Sequence, residues 1–78
     1  MISYDPLWKK IIDLRLSKTQ MAEKAGISKN TLAKMGKNEY VSLEVVERIC
    51  MKLSIPVEDV VEVRAGKDDV RPDDSAGN

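Results

Sequence analysis

The stretch KTQMAEKAGISKNTLAKM, residues 18–35, decides how this chain folds. Its apolar residues recur at helical spacing on either side of Gly26, which predicts two short helices joined by a turn of three or four residues. A glycine that follows a helix supplies the left-handed backbone conformation needed for a sharp turn. Ala22 is small, so the second helix can cross the first at close range. The sequence therefore predicts a closely packed pair of helices at its centre.

Three serines mark predicted helix starts in and around this pair. Ser17, Ser28 and Ser42 each precede an apolar run, the position at which a serine hydroxyl accepts a hydrogen bond from an otherwise unpaired backbone amide. Gln20 stands three residues after Ser17 and predicts a capping box, in which each side chain bonds the backbone amide of the other residue. These serines predict the starts of the second, third and fourth helices of the chain.

One predicted helix precedes these three and one follows them. Asp5 as N-cap and Pro6 as the first helical residue start a helix that is predicted to end near Arg15. Pro56 is predicted to open a short fifth helix rich in valine. Residues 65–78 hold four aspartates and one large apolar residue, which predicts a disordered acidic tail. The expected organisation is one all-α, five-helix domain over residues 1–64, followed by that tail.

The composition excludes several classes of protein. Cys50 is the one cysteine among 78 residues, and there is no histidine. A zinc site therefore lacks ligands, and an internal disulfide lacks a second cysteine. The sequence shows no nucleophile with its base and no phosphate-binding glycine loop. We therefore expect that the protein is not an enzyme and binds neither a cofactor nor a small-molecule ligand. It shows no signal peptide and no apolar run of membrane-spanning length, and a lone thiol fits a reducing compartment. We expect a cytoplasmic protein.

Charge is distributed unevenly, although the chain is neutral overall. Residues 18–37 contain five lysines and one glutamate, so their net charge is +4. Residues 38–64 contain three basic and six acidic residues, so their net charge is −3. Because salt screens each field within about 10 Å, a local basic surface can attract a polyanion while the far side stays acidic. The basic segment coincides with the predicted pair of helices.

The same central stretch resembles the helix-turn-helix of the Cro/CI-type (Xre, lambda-repressor-like) family, whose pattern runs roughly Leu-Ala-x-x-x-Gly-Val-Ser-x-x-Thr-Ile. The matching positions here are Met21-Ala22, Gly26-Ile27-Ser28 and Thr31-Leu32. The resemblance covers about residues 4–64 and implies a five-helix, sequence-specific DNA-binding domain of a transcriptional regulator.

Two features depart from the general family pattern. Gly36 stands where the family commonly has a glutamate just after the recognition helix, so the ion pair of that glutamate does not transfer to this chain. Ile2-Ser3-Tyr4 and Val61-Glu62-Val63 resemble the ends of short stand-alone members of the family. In those members the two ends pair as a small β-ribbon.

The resemblance also implies which residues contact double-stranded DNA. The third helix, about residues 28–36, is expected to enter the major groove, where Lys29, Asn30 and Lys34 match the base-contacting positions. Six further residues are expected at or near DNA phosphates: Lys18, Gln20, Ser28, Thr31, Lys37 and Asn38. For Ser28 and Thr31 a purely structural role, in the cap and turn, remains an equal alternative.

Other interpretations of the same residues stay open. The central stretch can also be a tight helical hairpin without a DNA contact, although the predicted third helix carries no acidic residue to pair with its lysines. A protein-interaction module, or an antitoxin-like accessory regulator, would instead use the acidic face of the fourth and fifth helices. One recognition helix contacts few base pairs, so a homodimer on a two-fold-related DNA site is expected. Trp8 is interpreted as a core residue.

Overall fold

The computed structural model describes residues 1–65. Within them the chain forms four α-helices, a 3-10 helix and two short strands: β1 (Ile2–Ser3), α1 (Asp5–Asp13), α2 (Lys18–Ala25), α3 (Lys29–Gly36), α4 (Leu43–Leu53), the 3-10 helix Val57–Asp59, and β2 (Glu62–Val63). The predicted tail beyond Ala65 lies outside the described residues. None of the helices in the described part is long and apolar enough to cross a membrane.

The predicted short helix after Pro56 is present, but it is not an α-helix. The segment after Pro56 makes only the three-residue 3-10 helix, because it must place Val60 in the core and then extend as β2 from Glu62. Too few residues separate these points for an α-helix of ordinary length. β2 pairs antiparallel with β1 in the register Ile2↔Val63 and Ser3↔Glu62, which confirms the ribbon between the two ends.

The start of α1 also differs from its prediction. Tyr4, not Asp5, is the N-cap, and Asp5 is the first helical residue with Pro6 after it. Tyr4 makes no side-chain cap bond, and the Asp5 amide instead donates to the hydroxyl of Ser3 in β1 at 3.1 Å. The first helix ends at Asp13, two residues before the predicted end, and Arg15 adopts a left-handed conformation beyond it.

The three serine caps are confirmed. Ser17, Ser28 and Ser42 accept hydrogen bonds from the backbone amides three residues later. Gln20 completes the capping box at Ser17.

The four α-helices end in the same way, and only one of these ends carries a glycine. After each helix the chain passes through one left-handed residue with φ between 56° and 72°: Arg15, Gly26, Asn38 and Ser54. The next residue then donates its amide to the carbonyl five positions back, at 2.8–3.0 Å. This is the Schellman arrangement, which usually includes an apolar residue just after the left-handed one.

That apolar residue is present at three of the four ends. Leu16, Ile27 and Ile55 follow the left-handed residues of α1, α2 and α4, and all three pack against the core. At the end of α3 the corresponding residue is Glu39, which is exposed. The end of α3 therefore lacks the apolar contact that the other three helix ends have.

The core lies between α1, α2, α4 and the segment that leads into β2. It consists of ten buried residues: Tyr4, Leu7, Ile11, Met21, Ala25, Met35, Val46, Ile49, Leu53 and Val60. α3 contributes only Met35 to this set, and its Leu32 is half-buried. Most of the surface of α3 is thus left facing outward.

Candidate nucleic-acid interface

The junction between α2 and α3 is a tight turn built from local chemistry. Gly26 has φ +72° at the end of α2, and Ser28 caps α3 two residues later. The Ile27 amide donates to the Ala22 carbonyl at 2.9 Å, and its side chain packs on the core. Arg48 of α4 donates from Nη1 to the Gly26 carbonyl at 3.3 Å, a tertiary contact that the sequence does not signal. This geometry holds α3 across α2 as predicted.

The outward face of α3 is basic and free of acid. With 3.6 residues per turn, the side chains of Lys29, Asn30, Ala33, Lys34 and Lys37 fall within an arc of about 140° around the helix axis. All five residues are exposed. The structure therefore brings the three predicted base-contacting residues onto one surface.

The first turn of α2 presents donors beside this face. The Ser17 hydroxyl accepts from the Gln20 amide at 3.0 Å, and Gln20 Oε1 accepts from the Ser17 amide at 2.8 Å. The amides of Lys18 and Thr19 make no hydrogen bond within the described residues. Gln20 thus has its carbonyl oxygen engaged, and its side-chain NH2 is the donor that remains.

The hydroxyls at the start of α3 are engaged with each other. Ser28 Oγ and Thr31 Oγ1 are hydrogen-bonded at 3.0 Å, and the Ser28 hydroxyl accepts from the Thr31 amide at 3.1 Å. Both hydroxyls thus take part in the cap of α3, the structural role that is the alternative to a phosphate contact for each of them.

The end of α3 is held by Tyr4, which lies 34 residues away in sequence. The Tyr4 hydroxyl donates to the Glu39 carbonyl at 2.7 Å, and the Tyr4 amide donates to Asn38 Oδ1 at 3.2 Å. Asn38 is predicted to contact the DNA backbone, and in the structure its side-chain oxygen accepts the bond from the Tyr4 amide. Sequence analysis missed the role of Tyr4, whose only local signal is an apolar ring ahead of Asp5.

Within the described residues the ion pairs include no residue of α2 or α3. Within residues 1–65 the pairs are Lys10–Asp59 at 3.5 Å, Arg48–Glu44 at 3.0 Å, and Arg64 with Glu62 at 2.6 Å and Asp5 at 2.8 Å. The hydrogen bonds that Arg64 donates, first to Glu62 and to a smaller extent to Asp5, raise the pKa of its guanidinium group. In the same part of the chain no carboxylate lies within ion-pair distance of the lysines of the basic segment: Lys18, Lys24, Lys29, Lys34 and Lys37.

A family comparison agrees with this geometry. The model of the Cro/C1-type helix-turn-helix DNA-binding domain matches residues 6–66. The chain belongs to the Cro/C1-type helix-turn-helix family. α2 and α3 are the two helices of its motif, and the family is one of DNA-binding regulators rather than an enzyme class.

A solved structure resembles this Cro/C1-type domain closely. The crystal structure of the transcriptional regulator VanUg, form II, superposes with a TM-score of 0.76 and 46% sequence identity. The match covers 78% of this chain and 81% of the VanUg chain. A search of curated proteins found no match.

Other chemistry-bearing groups of the Cro/C1-type domain do not form a site. Burial, followed by the charges of Glu58 and Asp59, raises the pKa of the Cys50 thiol, so the thiol stays protonated at neutral pH. The half-buried Cys50 packs against the core as a small apolar residue. Among the described residues no group of acidic or cysteine side chains is arranged to hold a metal ion.

Proposed function

We propose that this chain is a sequence-specific transcriptional regulator that inserts α3 into the major groove of its DNA site. The observation that carries the proposal is the outward face of α3, on which exposed lysines and Asn30 stand without acidic neighbours. In a helix-turn-helix the second helix enters the groove with its N-terminal part at the base edges. Lys29 and Asn30 occupy that part, and Lys34, in the last turn of α3, lies on the same outward face.

Each of these side chains suits a particular base edge. The Asn30 amide can accept from and donate to adenine at once, whereas Lys29 and Lys34 can donate to O6 and N7 of guanine. The absence of ion-pair partners for both lysines in the described structure leaves their ammonium groups ready for these acceptors.

Phosphates are proposed to lie at both flanks of α3. On one flank are Lys18, the free amides of the first turn of α2, and the side-chain NH2 of Gln20, a combination that favours an anion. On the other flank are Lys37 and Asn38. Ser28 and Thr31, whose hydroxyls bond each other in the cap of α3, are the two remaining candidates for a phosphate contact.

The functional unit is proposed to be a homodimer in the cytoplasm, formed by the domain of residues 1–64. Two recognition helices on half-sites about 34 Å apart select a longer sequence than one helix can. Val60 is fully buried in its own core, so the exposed apolar residues that this end of the domain offers to a second copy are Val57 and Val63, which are 51% and 84% exposed. Truncation after Arg64 is expected to leave operator binding and dimerisation unchanged in sedimentation equilibrium.

The test starts from the preferred DNA sequence, obtained by binding-site selection with the purified protein. Lys29→Ala, Asn30→Ala and Lys34→Ala should each weaken binding to that site by about 1–3 kcal/mol and relax preference at different base pairs. Lys9→Ala, which removes an exposed lysine of α1, is the matched control. If all three α3 variants bind as tightly as the control, α3 is not the helix that contacts the bases.

Backbone contacts have a separate signature. Lys37→Ala should weaken binding to all sequences alike and lower the slope of log affinity against log salt by about 0.9, one phosphate. The same measurement with Lys52→Ala, an exposed lysine of α4, should leave the slope unchanged. An unaltered slope for Lys37→Ala would remove this residue from the interface.

A protein-interaction function is the second candidate, and the surface of α4 favours it. Leu43 and Met51 are 82% and 73% exposed and alternate with Glu44 and Glu47 on this helix. Binding of a protein partner through this surface would depend little on salt, because few counterions are released. If DNA binding depends strongly on salt and Leu43→Ser leaves the DNA affinity unchanged, DNA binding is assigned to α3 and not to the surface of α4.

A further inference from the structure

Trp8 supports the side chain of Lys18. The Lys18 Nζ lies 4.4 Å from the centroid of the Trp8 ring, a cation–π distance. Trp8 belongs to α1 and is half-buried against the core, so packing fixes its ring. Lys18 is the exposed first residue of α2. We propose that Trp8 is a positioning residue for DNA binding, which holds the Lys18 ammonium at the N-terminus of α2, where a phosphate is bound.

The aromatic partner of Lys18 affects the electrostatic field of the protein. A carboxylate would fix Lys18 equally well, but it would cancel the charge that attracts DNA. A ring holds the ammonium through its quadrupole and leaves the net charge at +1. Within residues 1–65, Arg48 and Arg64 have carboxylate partners, whereas Lys18 has a ring.

The ring and a phosphate can hold the same ammonium group together. The ring covers one side of Nζ, and the other side remains for a phosphate oxygen. The amides of Lys18 and Thr19, which make no hydrogen bond within the described residues, are further donors at this helix end. A lysine side chain loses considerable rotamer freedom when it is fixed by a ligand. Because Trp8 fixes it beforehand, less of that entropy is lost when DNA binds. The inference rests on the proposed phosphate contact of Lys18.

The contact itself is tested by NMR on the full chain. Ring current should shift the ε-methylene protons of Lys18 upfield of those of the other lysines, and Trp8→Leu should abolish the shift. On addition of a short duplex of mixed sequence the upfield shift should persist. Loss of the shift on DNA binding would overturn the proposal, because Lys18 would then leave the ring to reach the phosphate.

The effect on binding is tested by a double-mutant cycle with the same duplex. Trp8→Leu should weaken binding about two- to fivefold when Lys18 is present and leave it unchanged in the Lys18→Ala background. Trp8→Phe, which keeps an aromatic face, should lose less affinity than Trp8→Leu. The control cycle pairs Trp8→Leu with Lys24→Ala, the lysine in the last turn of α2, and should be additive.

The outcomes separate the two proposals. If Lys18→Ala leaves the affinity and its salt slope unchanged, the phosphate contact of Lys18 fails, and the positioning role fails with it. If Lys18→Ala weakens binding but the effects of the two substitutions add, or if Trp8→Leu tightens binding, only the positioning role is overturned. Should Trp8→Leu not fold, Trp8→Phe and the spectrum of the unmodified chain in its DNA complex decide the question.

Discussion

At its N-terminal end α3 follows Gly26 and is capped by Ser28, whereas at its C-terminal end it passes through Asn38 and is bonded to Tyr4. The first end uses residues within a few positions of one another. The second depends on a residue 34 positions away. One end is thus fixed by local chemistry and the other by tertiary structure, although both position residues proposed to contact DNA.

The difference follows from the residue after each left-handed position. At the end of α2 this residue is Ile27, which anchors the turn in the core. At the end of α3 it is Glu39, an exposed residue whose carbonyl accepts the Tyr4 hydroxyl. A buried tyrosine therefore replaces the usual apolar anchor where the chain leaves the surface proposed to bind DNA.

The largest effect is expected at the N-terminal junction. Gly26→Val should lower the free energy of unfolding by at least about 1–2 kcal/mol, because a left-handed conformation is strained for any residue with a β-carbon and worst for a β-branched one. Gly36→Ala is the matched control at the other end of α3. A Cβ there meets no atom within 4 Å, so the variant should gain up to about 0.5–1 kcal/mol from helix propensity. Equal effects in urea unfolding would show that the turn is misassigned.

The cap of α3 gives the next effect. Ser28→Ala removes the acceptor for the Thr31 amide and should cost about 1 kcal/mol of stability. Ser28→Thr retains a capping hydroxyl and should lose much less. Chemical denaturation of the three proteins compares them, and a Ser28→Ala variant as stable as the parent chain would contradict a local anchor at this end.

At the C-terminal end the chain offers a matched pair of tyrosines. Tyr4→Phe removes the 2.7 Å bond to the Glu39 carbonyl and should cost about 0.5–1.5 kcal/mol. Tyr40→Phe changes a side chain that is 79% exposed and should leave the stability unchanged. Thermal unfolding distinguishes the two variants. If both behave like the parent chain, the tertiary anchor does not hold this end of α3.

The smallest effect is a dependence of stability on alkaline pH. Burial raises the pKa of Tyr4, and this effect outweighs a hydrogen bond with the Val41 backbone, which lowers the pKa. A phenol with a raised pKa in the folded state stabilises the fold below its ordinary pKa of about 10, and this contribution is lost as pH rises through the folded value. The stability difference between the parent chain and Tyr4→Phe should therefore shrink above about pH 10. Tyr40→Phe should follow the parent chain throughout, and a constant difference for Tyr4→Phe would contradict a buried phenol.

Much of the fold could be predicted because its signals are short in range. A serine cap, a capping box and a glycine after a helix each act within about five residues, so Ser17, Gln20, Gly26 and Ser28 were assigned correctly. The side-chain spacing that puts Lys29 and Lys34 on one face follows from the helix repeat alone. A short helix does follow Pro56, but it is a 3-10 helix that ends at Asp59, because the path of the chain to Val60 and β2 leaves no room for an α-helix.

The sequence by itself determined the helix-turn-helix, the caps of α2, α3 and α4, and the basic face of α3, since each depends on neighbouring residues. Only the tertiary structure decided that Tyr4 anchors the end of α3 and that Trp8 lies under Lys18. It also decided that Arg15, Asn38 and Ser54 take left-handed conformations. The strain of a non-glycine residue in that conformation is tolerated where hydrogen bonds and packing around it offset its cost. The Schellman hydrogen bonds are local, but the core contacts of Leu16 and Ile55 and the Tyr4 bonds at Asn38 and Glu39 come from other parts of the chain.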